Sequence, residues 1–328
     1  MRKRIAIIGA GLSGLTLARE LGDIADVTIF EKARGVGGRM STRYAEPFYF
    51  DHGAQFFTAR TEAFQKFIAP LIADGVIAEW VGKIAVLSAD NKHSDSLWFE
   101  SHYVATPQMN SLCKYLAYSL KIILNTEVAP LNEKRTDGWH LQDKNSGQLG
   151  VFDWIISTAP PEQTVRLFGR HLPASSPLHH TQLLGCYTLM LGFKRSWKES
   201  WIAAKILKNP IEWVAINSSK PGRDTSITSI VVHSSSAWAQ AHIDDDINTV
   251  SGFLRQQLEG VTGIETASAD YFACHRWRYA QVTQQKKIAP FFDSALGIAS
   301  SGDWCSESRI EDVWLNCQLL KAQLIALN

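Results

Sequence analysis

The chain has 328 residues, which is long for a single hydrophobic core, so two domains are expected. Hydrophobic residues make up 45% and charged residues 20%, as in ordinary globular proteins. The formal net charge of +1 argues against nucleic acid or an anionic membrane surface as a partner. The five cysteines are scattered and form no C-x-x-C pair, so neither a disulfide framework nor a metal site is expected, and a cytoplasmic location is predicted.

The N-terminal segment has some features of a signal peptide. Arg2, Lys3 and Arg4 precede an apolar run, but three glycines interrupt the run and no A-x-A cleavage site follows it. We therefore interpret residues 4–8 as a buried strand. No apolar run is long enough to span a bilayer, so no membrane segment is predicted.

The first half of the chain alternates helix-like and strand-like segments. A β-α-β unit is predicted at its start, with strands at 4–8 and 26–30 and a helix between them. The helix over 107–120 is predicted to have Thr106 as its N-cap and Pro107 at its first position. The remaining predicted elements of this half are a helix over 61–72 and strands over 122–128, 138–142 and 151–157.

From about residue 166 strand-like runs dominate, which predicts a mainly antiparallel sheet. One helix near 245–258 interrupts them, and the acidic run 244–246 at its start suits the helix dipole better than a metal site. Ser308 and Glu311 form an S-x-x-E capping box that predicts the start of a final helix. We expect this C-terminal helix to rejoin the first domain.

A G-x-G-x-x-G loop follows the first strand and opens the first helix. In this context Gly9 permits the tight turn, Gly11 permits close approach of a pyrophosphate, and Gly14 permits helix–strand contact. The helix N-terminus provides amide donors for phosphate. Glu31 follows the second strand and is placed to bind ribose hydroxyls, so a dinucleotide site is predicted for either NAD or FAD.

The next segment, RGVGGRMST at 34–42, resembles the R-x-G-G-R-x-x-[ST] segment of the amine oxidase superfamily of flavoproteins. Paired glycines permit close backbone approach, and Arg39 is suited to a diphosphate. Similar matches follow at 51–55 (DHGAQ), at Val128, at 157–160 (STAP) and at Gly302-Asp303. The resemblance implies a non-covalent FAD, since Cys274 and Cys305 do not match the positions of covalent attachment.

The cofactor-binding residues implied by these matches extend over the whole chain. They are Gly9, Gly11, Leu12, Ser13, Gly14, Glu31, Lys32, Gly38, Arg39, Met40, Gly53, Ala54, Gln55, Val128, Ala159, Pro160, Gly302, Asp303, Arg309 and Ile310. The amides at Arg309 and Ile310, at the start of the final helix, are expected to stabilise the reduced flavin ring.

The fold implied by the resemblance is α/β plus α+β. A Rossmann-like FAD-binding domain of the p-hydroxybenzoate hydroxylase or amine oxidase type is expected to comprise residues 1–70, 102–165 and 290–328. A substrate domain with a second, mainly antiparallel sheet is expected to comprise residues 71–101 and 166–289.

Within the superfamily the sequence most resembles the renalase family, particularly its bacterial members, through HRWRYAQV at 275–282 and DHGAQFFTAR at 51–60. That resemblance implies oxidation of 2-dihydro-NAD(P), with 6-dihydro-NAD(P) as the second candidate isomer, to NAD(P)+ by hydride transfer to flavin N5. Oxygen would then be reduced to hydrogen peroxide. No proton abstraction is needed, so binding geometry would provide most of the catalysis. No catalytic side chain is assigned.

Residues of the strand-like runs, together with one residue of the DHGAQ turn, are candidates for the substrate pocket. In the run at 275–282 the period of two places Trp277 and Tyr279 on one face and the arginines on the other. The candidates are Gln55, Tyr187, Trp213, His233, His275, Trp277 and Tyr279.

Two other functions remain open. An amine oxidase would need a lysine that holds water near N5, and Lys205 is the only candidate, although its surroundings match poorly. A flavin-binding protein without turnover, such as a redox sensor, is the third hypothesis, and anaerobic reduction by substrate would separate it from both enzymes.

Overall fold

The computed structural model describes residues 2–88, 94–96, 100–283 and 287–326. In chain order the strands are β1 (Lys3–Ile8), β2 (Ala25–Phe30), β3 (Thr42–Ala45), β4 (Phe48–Asp51), β5 (Ile77–Glu79), β6 (Lys83–Ser88), β7 (Ser94–Ser96), β8 (Tyr103–Ala105), β9 (Ile122–Ile123), β10 (Trp139–Gln142), β11 (Gln148–Phe152), β12 (Trp154–Ser157), β13 (Leu183–Phe193), β14 (Trp201–Leu207), β15 (Ile211–Ile216), β16 (Thr228–Ser234), β17 (Tyr271–Val282), β18 (Phe291–Asp293) and β19 (Ile298–Ser300). The α-helices are α1 (Leu12–Leu21), α2 (Glu62–Ala73), α3 (Asn110–Ala117), α4 (Pro161–Phe168), α5 (Ser236–Ala241), α6 (Ile247–Thr262) and α7 (Ile310–Ile325).

The chain forms two compact units that do not follow single stretches of sequence. The first unit comprises Met1–Gly38, Cys113–Leu183 and Gln281–Asn328, and the second comprises Arg39–Leu112 and Leu184–Ala280. Residues 39–70, which the sequence had grouped with the nucleotide-binding domain, fall in the second unit. There Phe48 and Phe50 of β4 pack against Met190 and Val231.

The first unit is built on a sheet of order β18-β19-β12-β1-β2-β9, parallel except for β18 at its edge. A parallel sheet is covered on both faces, which explains the continuous apolar run of β1. Helix α7 packs against α1, where Cys317 Sγ lies 3.4 Å from Ser13 Oγ. The C-terminal helix therefore belongs to the first unit.

The second unit is built on a seven-stranded sheet of order β17-β13-β16-β15-β14-β6-β7. The pairs β13/β16, β16/β15, β15/β14 and β6/β7 are antiparallel and β14/β6 is parallel, which confirms the predicted mainly antiparallel sheet. The two faces of this sheet pack against different elements. Leu189 and Ile230 pack with Leu254 of α6, whereas Met190 and Val231 pack with the β3–β4 hairpin. That hairpin is joined by a tight turn after Ala45.

Several predicted boundaries are wrong for local reasons. Helix α3 begins at Asn110 rather than Pro107, because Thr106 is bonded to the turn at Gly75 and Val76 through its hydroxyl and its N–H. The strand predicted over 122–128 is limited to β9, and 151–157 is divided between β11 and β12.

Of the two helix starts predicted in the second half of the chain, one is confirmed and one is wrong. Asp246 caps α6, accepting hydrogen bonds from the amides of Asn248 and Thr249, as the acidic run predicted. The capping box at Ser308 is wrong: Arg309 is the N-cap of α7, and the Ser308 hydroxyl instead donates to Asp303 Oδ2 at 2.9 Å. Ser308 has a positive φ of 59°, a left-handed conformation outside the helix.

Two global properties concern only the described part of the chain. No helix there is both long and apolar enough to cross a bilayer. Within the same residues, no group of three or more His, Cys, Asp or Glu side chains is arranged to hold a metal ion.

Candidate functional site

The glycine loop of the first unit joins β1 to α1, and its three glycines have different physical roles. Gly9 has a φ of 108°, which L side chains rarely adopt. A Cβ on Gly14 would lie closer than 3.0 Å to the Gly9 carbonyl oxygen, so no side chain fits there. Gly11 is different: its φ of −77° suits any residue and no atom lies within 4 Å of an added Cβ. Neither backbone conformation nor protein packing requires a glycine at position 11.

A second glycine segment lies beside this loop. The Gly37 amide donates to the Ala10 carbonyl at 2.9 Å, and Gly11 and Gly37 form a parallel bridge. Gly37 and Gly38 have φ values of 123° and 52°, so both require the freedom of glycine. The open space at Gly11 is therefore bordered by backbone from two segments, as close approach of a diphosphate requires.

Glu31, at the end of β2, lies at the same edge of the parallel sheet. Its Oε2 accepts the Ala10 amide at 2.8 Å and its Oε1 accepts the Ala33 amide at 2.7 Å. These bonds fix the carboxylate beside the glycine loop. Each carboxylate oxygen can accept a further hydrogen bond, which leaves capacity for the hydroxyls of a ribose.

The other predicted cofactor residues of the first unit lie around this edge or at the start of α7. Leu12 and Ser13 are buried in α1, Lys32 donates to Gln163 at 3.2 Å, and Val128 forms an isolated bridge to Asp143. Ala159 and Pro160 form the link from β12 to α4, which begins at Pro161.

The late Gly302-Asp303 pair follows β19 and precedes α7. Asp303 is buried and bonded to Ser308, whose hydroxyl in turn accepts the Val282 amide at 2.8 Å. Gly302 is constrained by packing, because an added Cβ would lie 2.9 Å from the Trp304 ring. The Arg309 guanidinium pairs with Asp312 at 2.8 Å, and Ile310 begins the helix.

In the second unit the turn after β4 packs tightly on the Arg39 backbone. A Cβ on Gly53 would overlap the Arg39 carbonyl, which also accepts the Ala54 amide at 2.8 Å. The Arg39 side chain donates to the Ala280 carbonyl at 3.0 Å, and Met40 is buried. The motif glycine at position 53 is therefore required by the fold itself.

A buried charge cluster precedes this turn, centred on the fully buried carboxylate of Asp51. Asp51 pairs with Arg223 at 2.7 Å and Lys220 at 3.3 Å, and it also accepts the Thr42 hydroxyl and the Met109 amide. Burial opposes ionisation of Asp51, but the two cations and the amide outweigh it and lower its pKa to about 2. Burial lowers the pKa of Lys220 to about 8, with Asp51 opposing the shift.

Gln55 is held by the same cluster. Its Nε2 donates to the Asp51 and Gly53 carbonyls, and its Oε1 accepts from Lys220 at 3.3 Å. The His233 ring lies 3.4 Å from Gln55 Nε2. Burial lowers the pKa of His233 to about 4, so the imidazole is neutral at neutral pH.

A second aromatic and imidazole group lies on β17. His52 stacks on Trp277 with ring centroids 5.1 Å apart and meets His275 edge-on at 5.0 Å. Trp277 Nε1 donates to the His52 carbonyl at 3.0 Å. Burial, then His275 and Arg43, lower the pKa of His52 to about 4, and burial and Arg43 also lower that of His275.

The remaining pocket candidates occupy different environments. Tyr187 is fully buried in the core beside Trp238, and its hydroxyl donates to the His242 carbonyl at 2.8 Å, which gives it a structural role. Trp213 is half-buried against Phe56, at 5.6 Å, and its Nε1 has no hydrogen-bond partner within the described ranges. Tyr279 is half-buried on β17.

Three cationic residues of the second unit were not predicted from the sequence: Lys220, Arg223 and Arg43. The loop NSSKPGR at 217–223 has the polarity of a surface turn, and nothing in its local pattern indicates a buried lysine. Lys205, the lysine proposed from sequence for an amine oxidase, is exposed on β14.

Comparisons with known proteins agree with this architecture. Residues 7–71 match the family profile described as an NAD(P)-binding Rossmann-like domain. A structure described as a putative protoporphyrinogen oxidase from Exiguobacterium sp. 255-15 has a TM-score of 0.81 at 14% identity, over 100% of both chains. Wild-type putrescine oxidase bound to putrescine has a TM-score of 0.75 at 13% identity, over 99% of both chains. At these identities the likeness establishes the fold: a Rossmann-like domain combined with a second sheet domain.

Asp51→Asn tests the buried charge cluster. The change leaves Lys220 and Arg223 buried without a carboxylate, so we expect the free energy of unfolding to fall by about 3–5 kcal/mol. Lys220→Met is the matched comparison, because Arg223 still neutralises Asp51, and we expect it to cost about 1–2 kcal/mol. Denaturant unfolding measures both, and equal losses would contradict this account of the cluster.

The buried neutral histidines predict a pH dependence of stability. His52 and His233 have pKa values of about 4 in the fold against an ordinary value of 6.5, so the unfolded chain binds protons more readily between these limits. Stability is complete above pH 6.5 and falls as the pH drops toward 4, by about 2 kcal/mol per histidine at pH 5.

His233→Gln removes one of these contributions and should flatten the loss of stability between pH 7 and pH 5. His180→Gln, at an exposed position, is the control. Urea unfolding at several pH values provides the measurement, and an unchanged slope for His233→Gln would show that its imidazole is not held neutral by burial.

Proposed function

We propose that this chain is an FAD-dependent oxidoreductase in which the first unit binds FAD and the second recognises the substrate. The observation that carries the cofactor assignment is the open space at Gly11, where neither conformation nor packing requires glycine. Glu31 and the Gly37-Gly38 segment border the same space. These groups suit a dinucleotide diphosphate and its ribose. Bound FAD would supply the hydride acceptor, with oxygen as the final oxidant.

The substrate that we propose is a dihydronicotinamide dinucleotide with its extra hydrogen at ring position 2 or 6. One substrate, one O2 and one proton give NAD(P)+ and H2O2. Loss of hydride creates an aromatic cation directly, so no side chain has to remove a proton. His52, His233 and His275 have lowered pKa values. We propose that they shape the pocket and orient the substrate, and that they do not transfer protons.

An amine oxidase remains the alternative, and the likeness to putrescine oxidase is consistent with it. The described part of the second unit favours it less. Its buried carboxylate, Asp51, is already paired with two cations and is not free to bind an ammonium group. Lys205 is exposed, and Arg43 adds positive charge beside His52 and His275.

The two cysteines that do not match the positions of covalent flavin attachment also have unreactive thiols. Burial raises the pKa of Cys274 to about 11 and that of Cys305 to about 12. Both thiols are therefore protonated and poorly nucleophilic at neutral pH. We propose that FAD is held without a covalent bond.

Gly11→Ala and Gly14→Ala separate cofactor binding from folding. Gly11→Ala meets no protein atom, so we expect stability of the FAD-free protein to change by less than about 0.5 kcal/mol, with FAD affinity reduced about tenfold or more. Gly14→Ala overlaps backbone and should cost about 2–3 kcal/mol of stability. Flavin fluorescence titration and denaturant unfolding measure the two quantities. Unaltered FAD affinity in Gly11→Ala would contradict the cofactor assignment.

Anaerobic reduction tests the reaction. The FAD-loaded protein is mixed with 2-dihydroNAD, 6-dihydroNAD, ordinary NADH and a panel of amines while the visible flavin absorbance is followed. We expect rapid bleaching by a dihydronicotinamide isomer, with NADH and the amines inactive, and recovery of the absorbance with H2O2 formation on admitting oxygen. Bleaching by an amine alone would support the alternative, and no bleaching by any compound would contradict both enzymes.

A further inference from the structure

Arg43 lies on a strand pair whose geometry directs it toward the histidines of the second unit. In the β3–β4 hairpin Arg43 is directly opposite Phe50, and residues opposite each other in an antiparallel pair project from the same face. His52 lies two residues after Phe50, just beyond the end of β4, and its ring contacts His275 and Trp277. The charge of Arg43 acts on both His52 and His275.

The same face packs along one side of β17. Phe50 stacks on Tyr271 with ring centroids 5.4 Å apart, and His52 contacts both His275 and Trp277. These three residues of β17 are separated by even numbers of positions, so they share one face of the strand. The opposite face is different: Arg278 there pairs with Asp244 at 2.8 Å. Arg43, His52 and His275 therefore form one group, and Arg278 lies on the opposite face of β17.

Two members of this group have unused hydrogen-bonding capacity. Arg43 is half-buried, yet across residues 2–88, 100–283 and 287–326 no hydrogen bond or ion pair is found for its guanidinium. His52 is only 7% exposed; the Phe50 backbone favours its charged form, but its Nδ1 makes no hydrogen bond of good geometry to those residues. A buried imidazole nitrogen normally has a partner, because desolvation without a bond is costly. The half-buried guanidinium and the buried imidazole therefore both have donor capacity left for an anionic acceptor.

We propose that Arg43, His52 and His275 form a phosphate-binding subsite of the second unit. This inference rests on the proposed function, since the subsite would take the diphosphate of the dihydronicotinamide dinucleotide. A guanidinium presents a planar fork of donors that matches phosphate oxygens, and a neutral imidazole can donate one further N–H. A metal cation is disfavoured beside Arg43, and an ammonium substrate is disfavoured for the same reason.

The proposed subsite binds the substrate at a different place from the ring that reacts. Hydride loss leaves a positive charge on the nicotinamide ring, and that charge would be destabilised by a nearby guanidinium. Recognition of the phosphates by Arg43 holds the substrate through its anionic part instead. Binding energy from the phosphates, which do not react, can then orient the ring that does.

Isothermal titration with inorganic pyrophosphate and with AMP tests the subsite directly. The protein is first saturated with FAD, so that the glycine loop is occupied and does not bind the probe. We expect both probes to bind the parent protein, Arg43→Gln to weaken binding about tenfold or more, and Arg43→Lys to give an intermediate loss. Arg278→Gln, which removes a paired arginine from the opposite face of β17, should change binding less than about twofold.

Two further readouts locate the binding. The melting temperature of Arg43→Gln should match that of the parent, because no described partner is lost. The imidazole NMR signals of the parent protein, with those of His275 identified by His275→Gln, should shift on addition of pyrophosphate. Equal affinity in Arg43→Gln and the parent, equal losses in Arg43→Gln and Arg278→Gln, or no binding by the parent would overturn the subsite.

A kinetic comparison of two substrates, one with phosphates and one without, distinguishes phosphate recognition from the hydride transfer itself. Arg43→Gln should reduce kcat/KM for the dihydroNAD isomer about tenfold but leave kcat/KM for uncharged 1-methyl-1,2-dihydronicotinamide unaltered. Equal losses for the two substrates would overturn phosphate recognition by Arg43. If neither substrate is oxidised while pyrophosphate still binds through Arg43, the anion site stands and the proposed reaction fails.

Discussion

The carboxylate of Asp51 is the interaction on which the second unit depends. It lies at the end of β4 and holds residues from three other segments, through Thr42, Met109, Lys220 and Arg223. A single buried charge thereby fixes β3, the segment before α3 and the loop after β15. The next four residues, His52 to Gln55, form the turn that the sequence had associated with flavin. Its position is determined by an electrostatic network rather than by the turn residues alone.

The glycines of the chain show that one residue type can meet quite different requirements. Gly14 and Gly53 are required by backbone packing, and Gly9 and Gly37 by their φ values. Gly11 is required by neither, and its place in the loop between β1 and α1 fits a backbone that a diphosphate approaches closely. A motif match alone does not distinguish a glycine required by the fold from one that the fold does not require. The backbone φ and the space around an added Cβ do distinguish them. This contrast is the strongest structural support for the dinucleotide assignment.

The sequence correctly predicted the elements whose ends are stabilised by residues nearby in the chain. The β-α-β unit, the glycine loop and Glu31 lie within 31 residues, and Asp246 caps α6 through its own backbone neighbours. Predictions failed where a distant partner overrides a local signal. Thr106 is bonded to the turn at 75–76 instead of starting a helix, and Ser308 is bonded to Asp303 instead of capping one. The capping signals were present, but stronger tertiary partners were available.

The candidate site was predictable to the same limited extent. Lys220 and Arg223 are more than 160 residues from Asp51, so no periodicity connects them. Arg43 was overlooked because it follows the motif segment and has no pattern of its own. Trp277 was predicted because alternation along the run placed it on one face with Tyr279, and His275 because it lies in a strand-like run. Both rings contact His52.

Hydride transfer from a dihydronicotinamide to bound FAD is tested most directly by isotopic substitution. The active dihydroNAD isomer is prepared with deuterium at the ring carbon that carries the extra hydrogen, and anaerobic bleaching of the flavin is followed in a stopped-flow instrument. We expect slower bleaching with this substrate than with the unlabelled one, and no change when deuterium is placed at ring position 4. Equal rates for all three substrates, or bleaching slowed only by the label at position 4, would contradict it.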